Sequence, residues 1–276
     1  MYAIDFEYNG IYLSDFGFMI CDFDGGSGSE VVSAGSKITF NTVPMHKGKK
    51  HSLTSTQYDE CITATFSICK KNCSGNDENM KITNDEYRDI MRWLNRREYL
   101  RFQIFDEDDN FRDACFYEAS FNVQKILIGG LLYGLELTLE TNKPFGYGEE
   151  QVFLFDVDDI STECVVYDSS DEIGYIYPNL VITCKTNGEL KLINELMNSE
   201  MVIRNCKENE VITVYGKEQI LLSDNEDHNK TLYDDFEFEF LRIGNTFENN
   251  ENIITTTLPC ILEVRYEPII KDSPEY

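Results

Sequence analysis

The sequence predicts a mostly β protein of two domains, and three observations carry that expectation. Strand-like alternation recurs along the chain between turn residues, only one segment has a well-specified helical period, and the charge balance changes abruptly near residue 145. Apolar residues make up 42% of the 276 positions, with 18 Phe and 16 Tyr, so a packed core is affordable and general disorder is excluded. Residues 1–145 hold 15 basic and 22 acidic side chains, a net of −7; residues 146–276 hold 9 and 28, a net of −19. The break falls in Asn142-Lys143-Pro144-Phe145-Gly146-Tyr147-Gly148, a linker-like stretch. Domains are therefore expected over 1–145 and 146–276.

The first half opens as a hairpin. Ala3 to Tyr8 alternates, Asn9-Gly10 is a type I′ turn signal, and Ile11 to Leu13 returns. Gly25-Gly26-Ser27-Gly28-Ser29 lacks the Gly-Lys-Ser/Thr ending of a phosphate-binding loop and reads as a flexible loop. Ile62, Ala64, Phe66 and Ile68 point one way, and Thr63, Thr65 and Ser67 the other, as in a half-buried strand. Thr83 to Glu86 forms a capping box, with Ile82 and Tyr87 placed as a hydrophobic staple. Tyr87, Ile90, Met91 and Leu94 then give the apolar stripe of one helix, and Trp93 widens it as a core anchor. Further strands are expected over Arg101–Phe105, Arg112–Tyr117, Ile126–Ile128 and Leu131–Leu139.

The second half reads as short strands without a helical period. The candidates are Val152–Asp156, Leu180–Cys184, Glu189–Ile193, Met201–Arg204, Val211–Tyr215, Phe236–Leu241 and Ile261–Tyr266. In Phe236–Leu241 the alternation of Phe with Glu predicts burial of one face. Six or more such strands argue for a β-sandwich.

The charge excludes two classes of partner. A net charge of −26 and a pI near 4.4 do not supply the positive surface that nucleic acid or an anionic membrane requires. Met1 to Gly10 lacks a basic n-region and is not read as a signal peptide, and the apolar run Ile126–Leu135 is about half a membrane span. Nine cysteines, an odd number mostly within apolar runs such as those at Cys61 and Cys260, read as small buried residues of a chain made in a reducing compartment.

Catalytic chemistry is mostly absent. His46, His51 and His228 sit in polar stretches with no nucleophile motif beside them, and Cys69 and Cys73 have no second ligand pair at zinc spacing. The acidic clusters at 106–109, 156–159 and 224–227 lack the glycine and terminal glutamate of a calcium loop and read as solvated turns. No catalytic residue, metal or cofactor is expected. One feature opposes the overall charge: His46, Lys47, Lys49, Lys50 and His51 form a basic knot inside the polar segment 41–58. It is either a solvated loop or an arm that docks on an acidic neighbour, such as a second copy of this chain. Tyr167, Tyr175 and Tyr177 are either packing residues of the sandwich or a glycan-facing set, which keeps a carbohydrate-binding or adhesion module open as the rival function.

Several motifs together carry a resemblance. Tyr8-Asn9-Gly10 followed by Ser14-Asp15-Phe16-Gly17, the polar segment near 41–58, the helix with Tyr87, Ile90, Trp93 and Leu94, and the Lys143-Pro144-Phe145 junction resemble siphophage distal tail proteins, the Dit family. Tyr177-Pro178-Asn179-Leu180-Val181-Ile182, Val211–Tyr215 and Phe236–Leu241 resemble strands of that family's C-terminal domain. Ile243-Gly244-Asn245 is followed here by Thr246 to Glu251, a departure from the family's tighter turn. The second half is also too short for the inserted carbohydrate-binding module that some members carry. The resemblance implies an N-terminal β-barrel-like ring domain with one helix, a belt arm near 41–58 and a galectin-like β-sandwich. It further implies a homohexameric ring at the tail tip of the virion, assembled in the bacterial cytoplasm. The ring would contact the tail tube protein, the tail-tip protein and a receptor-binding protein. DNA would pass through its lumen without being bound, which the negative charge suits.

Overall fold

A computed structural model describes residues 3–21, 37–44, 51–58, 60–71, 77–106 and 115–272. The chain divides into two compact units, residues 1–148 with 270–276, and residues 149–269.

The first unit is built on one antiparallel sheet. Its strands are β1 (Ala3–Tyr8), β2 (Ile11–Tyr12), β3 (Phe18–Cys21), β6 (Thr63–Lys70), β7 (Leu100–Asp106), β8 (Tyr117–Ile128) and β9 (Leu131–Thr141), in the order β2-β1-β7-β8-β9-β6-β3. A separate hairpin pairs β4 (Ile38–Pro44) with β5 (His51–Tyr58), and β10 (Gly146–Tyr147) follows the sheet. The first turn forms as its residues dictate: Asn9 and Gly10 take φ of 54° and 77°, the left-handed pair a type I′ turn needs. Ile62, Phe66 and Ile68 are buried while Thr63 and Thr65 are exposed, as the alternation requires. Besides a helical turn, α1 (Asp77–Met80), the unit holds α2 (Asn84–Leu94). Thr83 caps α2: its hydroxyl accepts the Glu86 N–H at 3.3 Å, and the Glu86 carboxylate accepts the Thr83 N–H at 2.7 Å. That helix lays Trp93 onto the sheet, stacked on Phe6 at 5.4 Å and Phe16 at 4.7 Å, with its indole N–H donating to the Tyr8 carbonyl at 2.9 Å. Phe66, Phe102 and Phe121 complete the aromatic centre around Phe6.

The expected linker is packed. Phe116 and Tyr147 exchange two main-chain hydrogen bonds of 2.8 Å, and Tyr147 is buried. Its ring stacks on Phe116, whose ring also lies against the Arg101 guanidinium.

The second unit is a β-sandwich. One sheet has the order β11-β21-β14-β17-β18, from β11 (Gln151–Val157), β14 (Asn179–Cys184), β17 (Val211–Tyr215), β18 (Ile220–Ser223) and β21 (Cys260–Tyr266). The other has the order β12-β20-β15-β16, from β12 (Cys164–Tyr167), β15 (Gly188–Asn194), β16 (Ser199–Cys206) and β20 (Glu251–Thr256). Leu180, Ile182, Leu190, Leu192, Ile212 and Leu262 are among the side chains buried between them. Two short strands, β13 (Gly174–Ile176) and β19 (Ile243–Asn245), pair at one side, and β22 (Ile269–Ile270) ends the strand series. Gly244 is required there, because a Cβ on it would lie 2.0 Å from the Gly174 carbonyl oxygen.

Three expectations are corrected here. The second unit contains a helix, α3 (Glu226–Asp235), which the sequence did not announce. Phe236–Leu241 is not a strand: Phe236 closes α3, and Phe238 takes φ of 58°, which turns the chain out of the extended region and leaves its ring exposed. Cys61 is exposed ahead of β6, whereas Cys164, Cys184, Cys206 and Cys260 are buried in the sandwich.

Candidate interaction surfaces

The polar segment 41–58 forms a hairpin, with residues 45–50 outside the described part. His46, Lys47, Lys49 and Lys50 lie in that undescribed segment, and His51 begins β5 opposite Pro44. What is described is an apolar exposure rather than a basic one. Ile38, Phe40, Val43 and Leu53 are 44–62% exposed on strands that, among the described residues, pair only with each other. A two-stranded ribbon has no second layer to bury such side chains. Local bonds shape it: a register shift follows Asn41, whose amide donates to Ser55 Oγ at 3.1 Å and whose carbonyl accepts the Thr54 hydroxyl at 2.9 Å. Its root is aromatic, because Tyr58 meets Phe145 edge-on at 6.4 Å and Phe145 meets Tyr147 at 5.7 Å.

A second apolar protrusion lies at the tip of the β8–β9 hairpin. Gly129 and Gly130 both take positive φ in its turn, and Leu127, Ile128 and Leu131 around them are exposed. These belong to the longest apolar run of the sequence, Ile126–Leu135, whose first part is exposed at the hairpin tip while Leu135 is buried in the core.

The three tyrosines are placed as follows. Tyr175 and Tyr177 touch edge to face at 5.6 Å, and the Arg242 guanidinium lies over the Tyr175 ring at 5.0 Å. Burial and the neighbouring Tyr175 push the Tyr177 hydroxyl up from its ordinary pKa. Tyr167 lies at the end of β12, exposed, and shares no ring contact with the other two among the described residues. The pair is thus engaged with its own neighbours, while Tyr175 stays exposed.

The histidine expected in a polar loop is instead buried. His228 lies on α3 with its Nδ1 2.5 Å from Glu210 Oε1 and its Nε2 3.7 Å from Asp235 Oδ2. Glu210, also buried, accepts further bonds from the Lys207 N–H at 2.7 Å and from the Ser223 hydroxyl. A carboxylate so enclosed needs all its donors, so the cluster reads as a latch holding α3 rather than an acid–base pair. Of the acidic turns, Asp156 and Asp158 both bind Lys185, while Glu226 and Asp227 occupy the first turn of α3, where the helix dipole favours them. Among the described residues no group of three or more His, Cys, Asp and Glu is arranged to hold a metal ion.

Comparison with known proteins places both parts of the chain among phage tail domains. Residues 1–143 match a family described as phage tail protein N-terminal domain, and residues 145–266 match one described as phage tail C-terminal domain. The fold is similar to the crystal structure of the SPP1 Dit (gp 19.1) protein, described as a paradigm of the hub adsorption apparatus in Gram-positive infecting phages. That likeness has a TM-score of 0.65 and 11% identity, and covers 96% of this chain and 98% of that chain. No curated protein sequence matches.

Proposed function

Since the chain belongs to a phage tail protein family, matched in both its N-terminal and C-terminal domains, we propose that it is the distal tail protein of a siphophage. On this reading it forms a homohexameric ring at the end of the tail tube and joins the tube to the tail-tip protein and the receptor-binding apparatus. The observation that carries the reading is that the likeness to SPP1 Dit covers 96% of this chain and so spans both units. A shared sandwich alone would support a generic adhesion module; both units in the same chain order support a hub.

The β4–β5 hairpin supplies a means of assembly. Four half-exposed apolar side chains on a ribbon without a covering layer gain burial only against another surface. We assign that surface to the next subunit, with the hairpin acting as the belt arm. The basic residues His46, Lys47, Lys49 and Lys50, which fall between its strands in the sequence, and His51 at the start of β5 supply charge for an acidic neighbour. Six copies would repeat the contact around a ring, so modest single contacts act together.

Sedimentation velocity and negative-stain microscopy of the full chain test the proposal. A closed ring is expected. Phe40→Ser combined with Leu53→Ser should keep the circular-dichroism spectrum and weaken association at least ten-fold. A chain that stays monomeric at every concentration would end the ring reading, and an unchanged ring in the double variant would end the belt assignment.

A further inference from the structure

We propose that a cleft on the second unit, between the free edge of its five-stranded sheet and the segment around α3, docks an extended apolar segment of another protein that carries lysine or arginine between its apolar residues. The cleft, about 310 Å³, is lined chiefly by Leu221, Leu222, Leu232, Tyr233, Phe236 and Phe238. This surface lies wholly within the second unit and does not depend on ring formation.

Three features converge on that occupant. The first is main-chain: β18 is the outermost strand of its sheet and, among the described residues, pairs only with β17. The Asp224 N–H donates to the Val211 carbonyl at 3.1 Å, toward β17, while the Ser223 N–H donates to Asn229 Oδ1 at 3.1 Å, away from it. Alternation along the strand therefore turns the Leu221 N–H and C=O off the edge, where an added strand can pair with them.

The second is the aromatic wall. Tyr233 is 77% and Phe238 57% exposed, and their rings meet edge to face at 5.0 Å. Phe236, 5.4 Å from Phe238, forms the buried floor. Phe238 holds its ring outward from a left-handed backbone position that a bulky side chain disfavours. Neither core packing nor a turn requirement calls for phenylalanine there. A partner side chain seated between this wall and the edge strand would bury both rings.

The third is charge. Glu218, Asp234 and Glu239 are chain neighbours of lining residues, are exposed, and form no ion pair among the described residues. The nearby cations are already engaged: Lys217 with Glu267 at 2.8 Å, Lys230 with Asp227 at 3.0 Å, and Arg204 with Glu237. An apolar cleft with an uncompensated acidic rim selects a basic partner. The second unit of another copy, with 28 acidic and 9 basic side chains over residues 146–276, brings the same sign and is disfavoured.

Fluorescence anisotropy with the full chain and three labelled heptapeptides tests this. One peptide alternates lysine with phenylalanine and leucine, the second replaces lysine by glutamate, and the third replaces the apolar residues by serine. The first should bind at least ten-fold more tightly than either analogue. Phe238→Ser and, independently, Tyr233→Ser on the solvent side of α3 should each lose that binding, and Glu239→Lys should narrow the preference for the basic peptide. Equal binding by wild type and both aromatic variants would overturn the proposal, as would equal binding of the basic and acidic peptides. Self-association of the wild type that Phe238→Ser abolishes would also overturn it, since the occupant would then be a second copy.

Discussion

Tyr8 shows how much one side chain settles in the first unit. It is fully buried, its ring meets Phe121 at 5.1 Å and Trp93 at 6.1 Å, and its hydroxyl donates to the Ala119 carbonyl at 3.2 Å. Its own carbonyl takes the Trp93 indole proton, so one residue ties β1 to both β8 and α2. Burial pushes the hydroxyl pKa from its ordinary 10 up to about 12, with Arg96 pulling it down and Glu98 pushing it up to smaller extents. The folded state therefore binds this proton more tightly than the unfolded state. The associated stability is fully present below pH 10 and is lost as pH rises toward 12. Tyr8→Phe should cost about 1 kcal/mol at pH 7, from the lost hydrogen bond, yet lose stability less steeply than wild type between pH 10 and 12. Urea unfolding across that pH range measures both effects. Parallel pH profiles for the two proteins would show that the hydroxyl is not held in its neutral form by the fold.

At the scale of elements, α3 and α2 make an instructive pair. The two ends of α2 and its stripe are written locally, as a capping box followed by apolar residues at i, i+3, i+4 and i+7, so it was legible. Only His228 and Leu232 are buried on α3, which leaves no stripe to read. What holds α3 is a side chain from β17's lead-in, Glu210, together with Asn225 Oδ1, which accepts the N–H groups of Asp227 and His228 at 3.1 and 3.2 Å. The Phe236–Leu241 alternation misled for the same reason: a helix end and a left-handed Phe238 decide its path, and neither shows in hydrophobic period. The sequence marked 41–58 as a polar segment but did not show the pairing of β4 with β5, because side chains exposed on both faces leave no inside–outside pattern. The docking cleft was missed because Phe236, Phe238 and Phe240 were read as the buried face of one strand. If the Glu210–His228 pair is the latch, His228→Ala leaves a buried carboxylate short of a donor and should destabilise the second unit by about 3–5 kcal/mol. Removing both partners, with Glu210→Leu and His228→Leu, should cost less than the single change, since no buried charge is stranded. Urea unfolding of the full chain, followed by far-ultraviolet circular dichroism, gives both values. A cost below about 1 kcal/mol for His228→Ala would show that capping by Asn225 alone holds the helix.

For the whole molecule, the dominant fact is charge. Each chain carries a net −26, of which −19 lies in residues 146–276, so the proposed six-membered ring would gather 156 net negative charges. Repulsion between subunits extends over roughly 30 Å at 10 mM salt but only about 8–10 Å at 0.1–0.15 M. Apolar contacts of the kind the β4–β5 hairpin and the β8–β9 tip expose are not weakened by moderate salt, and excluded ions such as sulfate strengthen them. The two effects act in the same direction. Ring assembly should therefore be weak at about 10 mM salt, rise to a plateau near physiological ionic strength, and tighten further in sulfate. Static light scattering across a salt series, with sedimentation velocity at the extremes, follows the transition. The opposite trend, rings firm at low salt and dissociating as salt rises, would mean that ion pairs dominate the interface. The triple change Lys47→Glu, Lys49→Glu, Lys50→Glu separates the two cases. It should lower the plateau only modestly if apolar burial drives assembly, because exposed pairs contribute about 0.2–1 kcal/mol each, and should abolish the ring if the basic knot is its main contact.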